Sequence, residues 1–365
     1  MKLEIYISNS NDPCFNLALE DLLFDSVKEQ TVILYIWQNA DTVVIGKSQN
    51  AWSEVRIAEL QSDGGILVRR TSGGGAVYHD LGNLCYTFIA SDGLYDLEKQ
   101  LKVILGAVGA AGIEARFTGR NDIVSADGRK FSGNAFRFVK DKGLMHGTLL
   151  VNTDPSKIQR YLQVSPAKIR AKGVSSVRAR VVNLSELSPT ATTAFLSDAL
   201  IEAFIAEYSK DRPGDDVKIA EPVHISKICE TVNAENGEFP FVTVDHPLPE
   251  AESFPNRYIR FSSWEWRMGE TLPFNLEIER KFSWGLVNAR LMVESGIIKT
   301  AGVYTDAMDS ELGEVLSAGL AGTRLEAGAI ESSVNASCAL IASSGKAVAD
   351  MSEVSRDLIG LFKEI

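Results

Sequence analysis

The chain has 365 residues, 45% hydrophobic and 23% charged, the balance of a soluble globular protein long enough for two domains. Its formal net charge of −11 argues against a general nucleic-acid or membrane-surface binder, because those carry a basic face, so an anionic ligand has to be met by basic residues gathered locally. Met1 runs straight into strand-like sequence without a signal-peptide h-region, no apolar run reaches membrane-spanning length, and Cys14, Cys85, Cys229 and Cys338 lack CxxC spacing; this predicts a cytoplasmic protein with reduced thiols.

In chain order, the turn Asn11-Asp12-Pro13 precedes a helix over 16–28, with Leu17, Leu22, Leu23 and Val27 near helical spacing. Strands are expected at 32–37 and 42–45 around the turn Asn39-Ala40-Asp41. Ser53 is the candidate cap of a short helix ending at Gly64-Gly65, and the apolar runs 66–68 and 84–89 read as strands. A helix over 96–111 presents Leu97, Leu101, Ile104, Leu105 and Val108 on one side and stops at Gly112. Strands follow at 113–117, 122–125, 129–138 and 144–151, with Asp127-Gly128 as a hairpin turn, and then an amphipathic helix at 192–208. The first 210 or so residues thus mix helices and strands without regular βαβ alternation, which predicts an α+β fold with a mixed or antiparallel sheet. Six prolines among many charges make 210–256 read as an irregular connector or inserted loop. Beyond it, two strands in 274–293, another at 296–305 and helices at 310–321 and 344–362 predict a small α+β second domain. The expected division is 1–250 and 257–365.

The stretch from Arg69-Arg70-Thr71-Ser72-Gly73-Gly74-Gly75 through Ala76-Val77-Tyr78-His79-Asp80-Leu81-Gly82-Asn83 joins two guanidinium groups to three consecutive glycines. Glycine lets main-chain N–H groups approach an anion and arginine adds a permanent charge with a planar donor fork, so the pattern suits a phosphate or carboxylate. It is neither a Walker loop nor a GxGxxG fingerprint. Surface salt bridging is the plain alternative for both arginines.

A second basic, glycine-bearing cluster lies at Gly119-Arg120-Asn121-Asp122, Lys130-Phe131-Ser132-Gly133-Asn134-Ala135-Phe136-Arg137 and His146-Gly147-Thr148. Lys130 stands beside side chains too small to cover a ligand, where its ammonium could bridge two anionic groups; taken alone it also reads as an exposed hairpin lysine. Asp122 reads either as a cation ligand or as a turn cap. Trp37 is a core residue or a pocket wall, isolated His79 and His146 are structural by default, and Cys85 in a strand reads as a core thiol.

Together these blocks, with Asn16-Leu17-Ala18, Glu20, the run from Trp37 to Gly46, Gln49-Asn50, Lys172 to Arg178 and Ser262-Ser263-Trp264-Glu265-Trp266, closely resemble the lipoate–protein ligases. Those enzymes share a catalytic fold with biotin ligases and octanoyltransferases. The resemblance implies a large catalytic domain of mixed and antiparallel sheets flanked by helices, like biotin ligases and class II aminoacyl-tRNA synthetases, plus a small accessory domain. It implies a two-step reaction: ATP and lipoate give lipoyl-AMP and pyrophosphate, and the adenylate then acylates a lysine of a lipoyl domain. By resemblance Lys130 is the catalytic lysine, touching both the lipoyl carboxyl oxygen and the phosphate. Arg70, Gly75, Ala76, Val77, Tyr78, Asn83 and Asp122 complete the ATP site, with Asp122 the candidate Mg2+ ligand. Leu17, Trp37 and His146 line the apolar tunnel for the dithiolane chain, and Ser72, His79 and Arg137 join them in the lipoate-binding set.

The thioester-forming transferases of this superfamily need a cysteine shortly after the His146 strand, and Leu149-Leu150-Val151-Asn152-Thr153-Asp154 contains none, which favours an adenylate route. Biotin ligases carry GRGRRG where this chain has Arg69-Arg70-Thr71-Ser72-Gly73. A transferase that takes only preformed lipoyl-AMP, and a silent lipoate or nucleotide binder, remain the alternatives. The implied acceptors are apo lipoyl domains of 2-oxoacid dehydrogenase E2 subunits and the glycine-cleavage H protein, with no nucleic acid or membrane partner and a monomeric enzyme.

Overall fold

The computed structural model describes all residues except 92, 119–120, 164–180, 211–216, 235–236, 270–273, 346 and 364–365. The elements run β1 (Lys2–Ser8), α1 (Pro13–Ser26), β2 (Thr31–Trp37), β3 (Thr42–Ile45), α2 (Ala51–Glu54), α3 (Ile57–Ser62), β4 (Ile66–Arg69), β5 (Val77–His79) and β6 (Asn83–Ala90). Next come α4 (Leu97–Ala110), β7 (Ala115–Phe117), β8 (Asp122–Ser125), β9 (Lys130–Val139), β10 (Lys142–Leu150), α5 (Pro155–Tyr161), α6 (Leu184–Leu187) and α7 (Thr193–Ser209). The chain continues with β11 (Lys218–Ile219), β12 (Val223–Ile225), β13 (Lys227–Ala234), β14 (Gly237–Val244), α8 (Phe254–Ser262) and α9 (Trp264–Met268). It ends with β15 (Leu276–Lys281), β16 (Leu286–Glu294), β17 (Ile297–Thr305), α10 (Leu312–Leu320), α11 (Ala327–Ser343) and α12 (Met351–Phe362).

Why the main sheet holds together is visible in β2 and β6, whose residues are all buried. Side chains alternate across a strand, so Val32, Leu34, Ile36, Leu84, Tyr86 and Phe88 share one face with α4 and α7, while Ile33, Tyr35, Trp37, Cys85 and Ile89 share the other with α1 and α8. A sheet covered on both faces needs near-continuous apolar strands, as these are. The order is β11-β1-β2-β6-β10-β9-β8-β7 with β12 also on β1; β1 is parallel to its neighbours and the strands from β2 to β7 are antiparallel. This is the mixed α+β fold the sequence predicts.

Helix boundaries follow from capping. Asp12 accepts from the Cys14 and Phe15 N–H groups with Pro13 in the first turn, so α1 begins three residues before the apolar spacing indicates. Asp96 and Thr192 cap α4 and α7 in the same way. The segment after Asn50 is two short helices, not one, because the chain is extended at Val55.

β2 and β3 are not partners: the turn at 39–41 passes the chain from the main sheet to a small sheet, β4-β3-β5, in which β3 is parallel to β4 and antiparallel to β5. Nor is 210–256 an irregular connector. β11 and β12 extend the main sheet beside β1, β13 and β14 form a hairpin, and Ile225, Val242, Leu248, Phe254 and Phe261 enter the core against α1. The apolar members of that stretch are spaced by charged residues, which hides them from a composition reading.

The C-terminal sheet, β15-β16-β17, is antiparallel, and its own core draws on α10, α11 and α12. α11 lies where no helix is expected, and the expected helix at 344–362 begins only at Met351. Among the described residues no helix is long and apolar enough to cross a membrane.

Candidate active site

A cavity of about 200 Å³ opens between the main sheet and the small one. Leu17 reaches it from α1, Trp37 from β2, Val44 from β3, His79 from β5, Cys85 from β6, and His146 from β10. The turn from Arg70 to Val77 forms one rim, and Asn121, Lys130 and Gly133 form the opposite one. Its walls are mostly apolar and its polar groups stand at the rims, the arrangement of a small-molecule site.

The two arginines have different duties. Arg69 is buried and spends its guanidinium on main-chain carbonyls: Nε donates to Trp266, Nη1 to Gly46, Lys47 and Gln49, and Nη2 to Arg267 and Met268. The Trp266 indole returns a hydrogen bond of 2.8 Å to the Arg69 carbonyl. Arg69 is therefore a staple between β4, the 46–49 turn and α9, not a ligand group and not a salt bridge.

Arg70 lines the cavity. Its Nη2 donates to the Gly73 and Gly75 carbonyls at 2.6 and 2.9 Å, its Nη1 to Val44, and its Nε to the Ser72 hydroxyl. Burial lowers both guanidinium pKa values to about 10, with the Glu20 charge opposing the shift at Arg70. Both therefore stay charged at neutral pH. No carboxylate pairs directly with Arg70 among the described residues; a positive charge is buried at the cavity wall, and Glu20 acts on it only from a distance.

Gly74 has a φ of +87° and its N–H donates to the Ala307 carbonyl at 2.8 Å, so the turn is closed from the C-terminal unit. At Gly73 an added Cβ would lie 2.4 Å from the same carbonyl oxygen. Gly75 faces open space, as the member of the triplet free to meet a ligand. Across the cavity Lys130, half-buried at the start of β9, pairs with Asp122 at 2.7 Å and lies over Gly133, where a Cβ would come within 2.9 Å of its Nζ.

The predicted residues divide accordingly. Leu17, Trp37, Arg70, Gly75, Ala76, Val77, His79, Lys130 and His146 lie on the wall. Ser72 stands behind it, bonded to His146 Nε2 at 2.6 Å, and Asp122 reaches the rim through its ion pair with Lys130. Tyr78, Asn83 and Arg137 are not among the lining residues. Tyr78 turns its hydroxyl to Asp41 because β5 alternates and its neighbours face inward. Asn83 donates to the Cys85 sulfur while its own Oδ1 is unpartnered. Arg137 is held by Asp21 and the Phe24 ring, which takes its charge away from the cavity.

His79 has one orphan donor. Asn16 donates to Asn39 Oδ1, which turns the Asn39 amide nitrogen toward His79 Nδ1 at 3.3 Å. Nδ1 then accepts and the ring proton sits on Nε2, which has no partner among the described residues and is buried at the cavity. Burial first, then the charges of Arg70 and His146, lower the His79 pKa to about 3. Cys85 is no nucleophile: burial, reinforced by Glu20, raises its pKa well above the ordinary thiol value.

Among the described residues no group of three His, Cys, Asp or Glu side chains could hold a metal ion. Mg2+ does not need one, since it binds through one or two carboxylates completed by phosphate oxygens and water, and the rim position of Asp122 fits that mode.

The fold and cavity define a lipoyl-ligase type of catalytic domain. The family described as the lipoyl protein ligase A/B catalytic domain matches residues 12–205, and that described as the bacterial lipoate protein ligase C-terminus matches 271–360. Among solved structures, P. falciparum LipL1 in complex with lipoate is 29% identical with a TM-score of 0.74, over 91% of this chain and 94% of that one. A bipartite lipoate protein ligase with its E2 lipoyl domain from Thermoplasma acidophilum is 24% identical, with a TM-score of 0.59 over 76% and 100% of the two chains. A lipoate-protein ligase A bound with ATP is 23% identical, with a TM-score of 0.57 over 74% and 99%. The latter two establish likeness of fold. The chain belongs to the lipoate–protein ligase family and is an enzyme.

Proposed function

We propose that this enzyme is an ATP-dependent lipoate–protein ligase that forms lipoyl-AMP and then transfers the lipoyl group to a lysine of a lipoyl domain. The observation that carries this reading is the placement of two cations across one apolar cavity: Arg70, buried with no carboxylate in direct contact among the described residues, and Lys130, half-buried and paired with Asp122 at the rim. Adenylate formation brings a carboxylate against an α-phosphate, two anions that repel, and fixed positive charge at both sides lowers that barrier.

The acyl chain of lipoate occupies the walls of Leu17, Trp37 and His146, with its carboxylate toward Lys130. The turn of Gly75 and Ala76 faces the phosphates, and Lys130 leaves Asp122 to bridge the attacking carboxylate oxygen and the α-phosphate. Pyrophosphate departs. In the second step the acceptor amine attacks the acyl carbonyl, AMP leaves, and Lys130 stabilises the charge developing on the carbonyl oxygen. The orphan His79 N–H offers a further donor to the bound acyl group or phosphate. When bound, Mg2+ neutralises charge on the leaving phosphates, with Asp122 as its protein ligand.

The units proposed here are 1–268 and 276–365, not 1–250 and 257–365, since Phe254 and Phe261 belong to the first core. Among the described residues the polar contacts between them include Gly74 N–H to Ala307, Thr305 N–H to Ser48, Ser48 Oγ to Ser310, Asn121 Nδ2 to the Met308 sulfur and the Lys47–Glu314 ion pair, and Met308 packs into the first core. A polar attachment made from residues 305–314 suits an accessory unit that swings away after adenylation to admit the acceptor, withdrawing Met308 from the first core, a motion that small-angle scattering with and without lipoyl-AMP would detect. E2 lipoyl domains and the glycine-cleavage H protein are the proposed acceptors, and the cytoplasm the proposed compartment.

The test is to incubate the protein with lipoate, ATP·Mg2+ and an apo lipoyl domain and to weigh the domain by mass spectrometry. Modification from free lipoate is expected. Modification only from synthetic lipoyl-AMP would replace the ligase by a transferase, and none from either would overturn both.

A further inference from the structure

Glu20 lies in the middle of α1, buried, and no role has so far been given to it. Its Oε1 accepts from Thr87 Oγ1 at 2.6 Å and from His146 Nδ1 at 2.8 Å. Each of these donors is the inner member of a longer chain of hydrogen bonds. On one side, the Trp37 indole N–H donates to Thr87 Oγ1 at 3.0 Å. On the other, Arg70 Nε–H donates to Ser72 Oγ at 3.0 Å, and Ser72 Oγ lies 2.6 Å from His146 Nε2.

The outer donors and the Glu20 carboxylate together set the protons between them. An indole N–H and a guanidinium N–H can only donate. Thr87 therefore accepts from Trp37 and passes its own proton to Glu20. Ser72 accepts from Arg70, and its proton goes to His146 Nε2, because its other acceptor, the Gly73 carbonyl, is 3.5 Å away. In the neutral imidazole Nε2 then accepts, which places the ring proton on Nδ1, aimed at Glu20. Two chains that start at donor-only groups must both run inward and end on an acceptor. That acceptor is one oxygen of Glu20.

We propose that Glu20 is a positioning residue of this enzyme: by ending both chains it fixes His146 as the Nδ1–H tautomer and ties the acyl-chain wall to the turn that Arg70 braces. Trp37 and His146 line the cavity, while Arg70 holds the Gly73 and Gly75 carbonyls, so one carboxylate sets the geometry on both sides. Ser72, His146 and Glu20 also follow the order of an acyl-transfer triad. Ser72 is not such a nucleophile: it has no exposed surface and Arg70 Nε is aimed at its oxygen.

The role rests on the ligase reading, but its test does not need turnover. In the full-length protein, two-bond 1H–15N spectra of the histidine rings, with His146 assigned by loss of its signals in His146→Gln, report the tautomer directly. The wild type and Glu20→Gln, whose amide oxygen can still accept twice, are expected to show Nδ1–H; Glu20→Leu leaves Nδ1–H without its acceptor and is expected to move the proton to Nε2, the Ser72 hydroxyl turning to the Gly73 carbonyl. In steady-state assays Glu20→Leu is expected to raise KM for both lipoate and ATP and to lower kcat, each by about tenfold, with Glu20→Gln restoring them to within about twofold. A wild-type His146 with its proton on Nε2 overturns the proposal. So does a folded Glu20→Leu with wild-type KM values and tautomer. Should Glu20→Leu fail to fold, the wild-type and Glu20→Gln spectra still decide. Absence of pyrophosphate release by the wild type would sink the ligase reading alone and leave the tautomer result standing.

Discussion

The two rims of the cavity are built in opposite ways. On the arginine side nothing is left to adjust: Arg69 and Arg70 are buried, their N–H groups are taken by named carbonyls and a hydroxyl, and the turn they brace is further held by Ala307. On the lysine side, Lys130 is half-buried, pairs among the described residues with one half-exposed carboxylate, and rests on a glycine that leaves it room. The difference suggests a division of labour. A preformed rim positions an anion at no cost in reorganisation, and a cation with a weak partner is free to follow the charge as it moves from phosphate to carbonyl oxygen.

The largest effect that would break this contrast is at Lys130. Lys130→Ala should lower lipoate-dependent pyrophosphate release by about 10³-fold, the loss typical of a principal transition-state cation, while the melting temperature hardly changes. Near-normal release would show that the mobile rim is not where catalysis occurs. Arg69→Met tests the fixed rim and should do the reverse. It leaves carbonyls at Gln49, Trp266 and Met268 buried without a donor, so unfolding should become easier by about 3 kcal/mol in urea titration. An Arg69→Met protein of wild-type stability would mean that the staple contributes nothing.

What could be read from the sequence follows the same division. The glycine triplet and Arg70 are contiguous text, so their chemistry is legible in one glance. The role of Arg69 is not, because its acceptors are main-chain carbonyls near positions 47 and 267, and a carbonyl has no residue signature. Glu20 is hidden for a related reason: its partners lie 67 and 126 positions away, and one acidic residue in an apolar helix does not announce which way it faces. The helix α11 was available. Ile330, Val334, Cys338 and Ile341 recur at helical spacing, but alanine and serine between them blur the apolar stripe. The stretch 210–256 reads as a connector because its prolines stand out over scattered valines and phenylalanines, which tertiary contacts with α1 recruit into the core.

His79 sharpens the picture of the fixed rim through pH. Its folded pKa of about 3 lies below the ordinary value of 6.5, so between these pH values the unfolded chain binds a proton that the folded chain refuses. Stability attributable to His79 is therefore undiminished above pH 6.5 and falls as pH drops, by about 2 kcal/mol between pH 6.5 and 5. His79→Gln should flatten the stability profile over that window by up to one proton. An unchanged slope would place the ring in water rather than against Arg70.

The smallest effects separate the turn's own geometry from what closes it. Gly74 has φ +87°, where a side chain costs about 1 kcal/mol, and a Cβ there would meet Arg70 Nη2 at 3.0 Å. Gly74→Ala should therefore weaken ATP binding and slightly lower the melting temperature, because the strain lies within the catalytic unit. Gly73 carries no such backbone strain; its Cβ would instead run into the Ala307 and Met308 carbonyl oxygens at 2.4 and 2.5 Å. Because these are backbone atoms of the C-terminal unit, relief requires that unit to lift away. Gly73→Ala should keep the stability of the catalytic unit yet enlarge the radius of gyration of the free enzyme in small-angle scattering. If both variants gave the same compact particle, the closed rim would not depend on the C-terminal unit, and the swing proposed for the second step would lose its starting point.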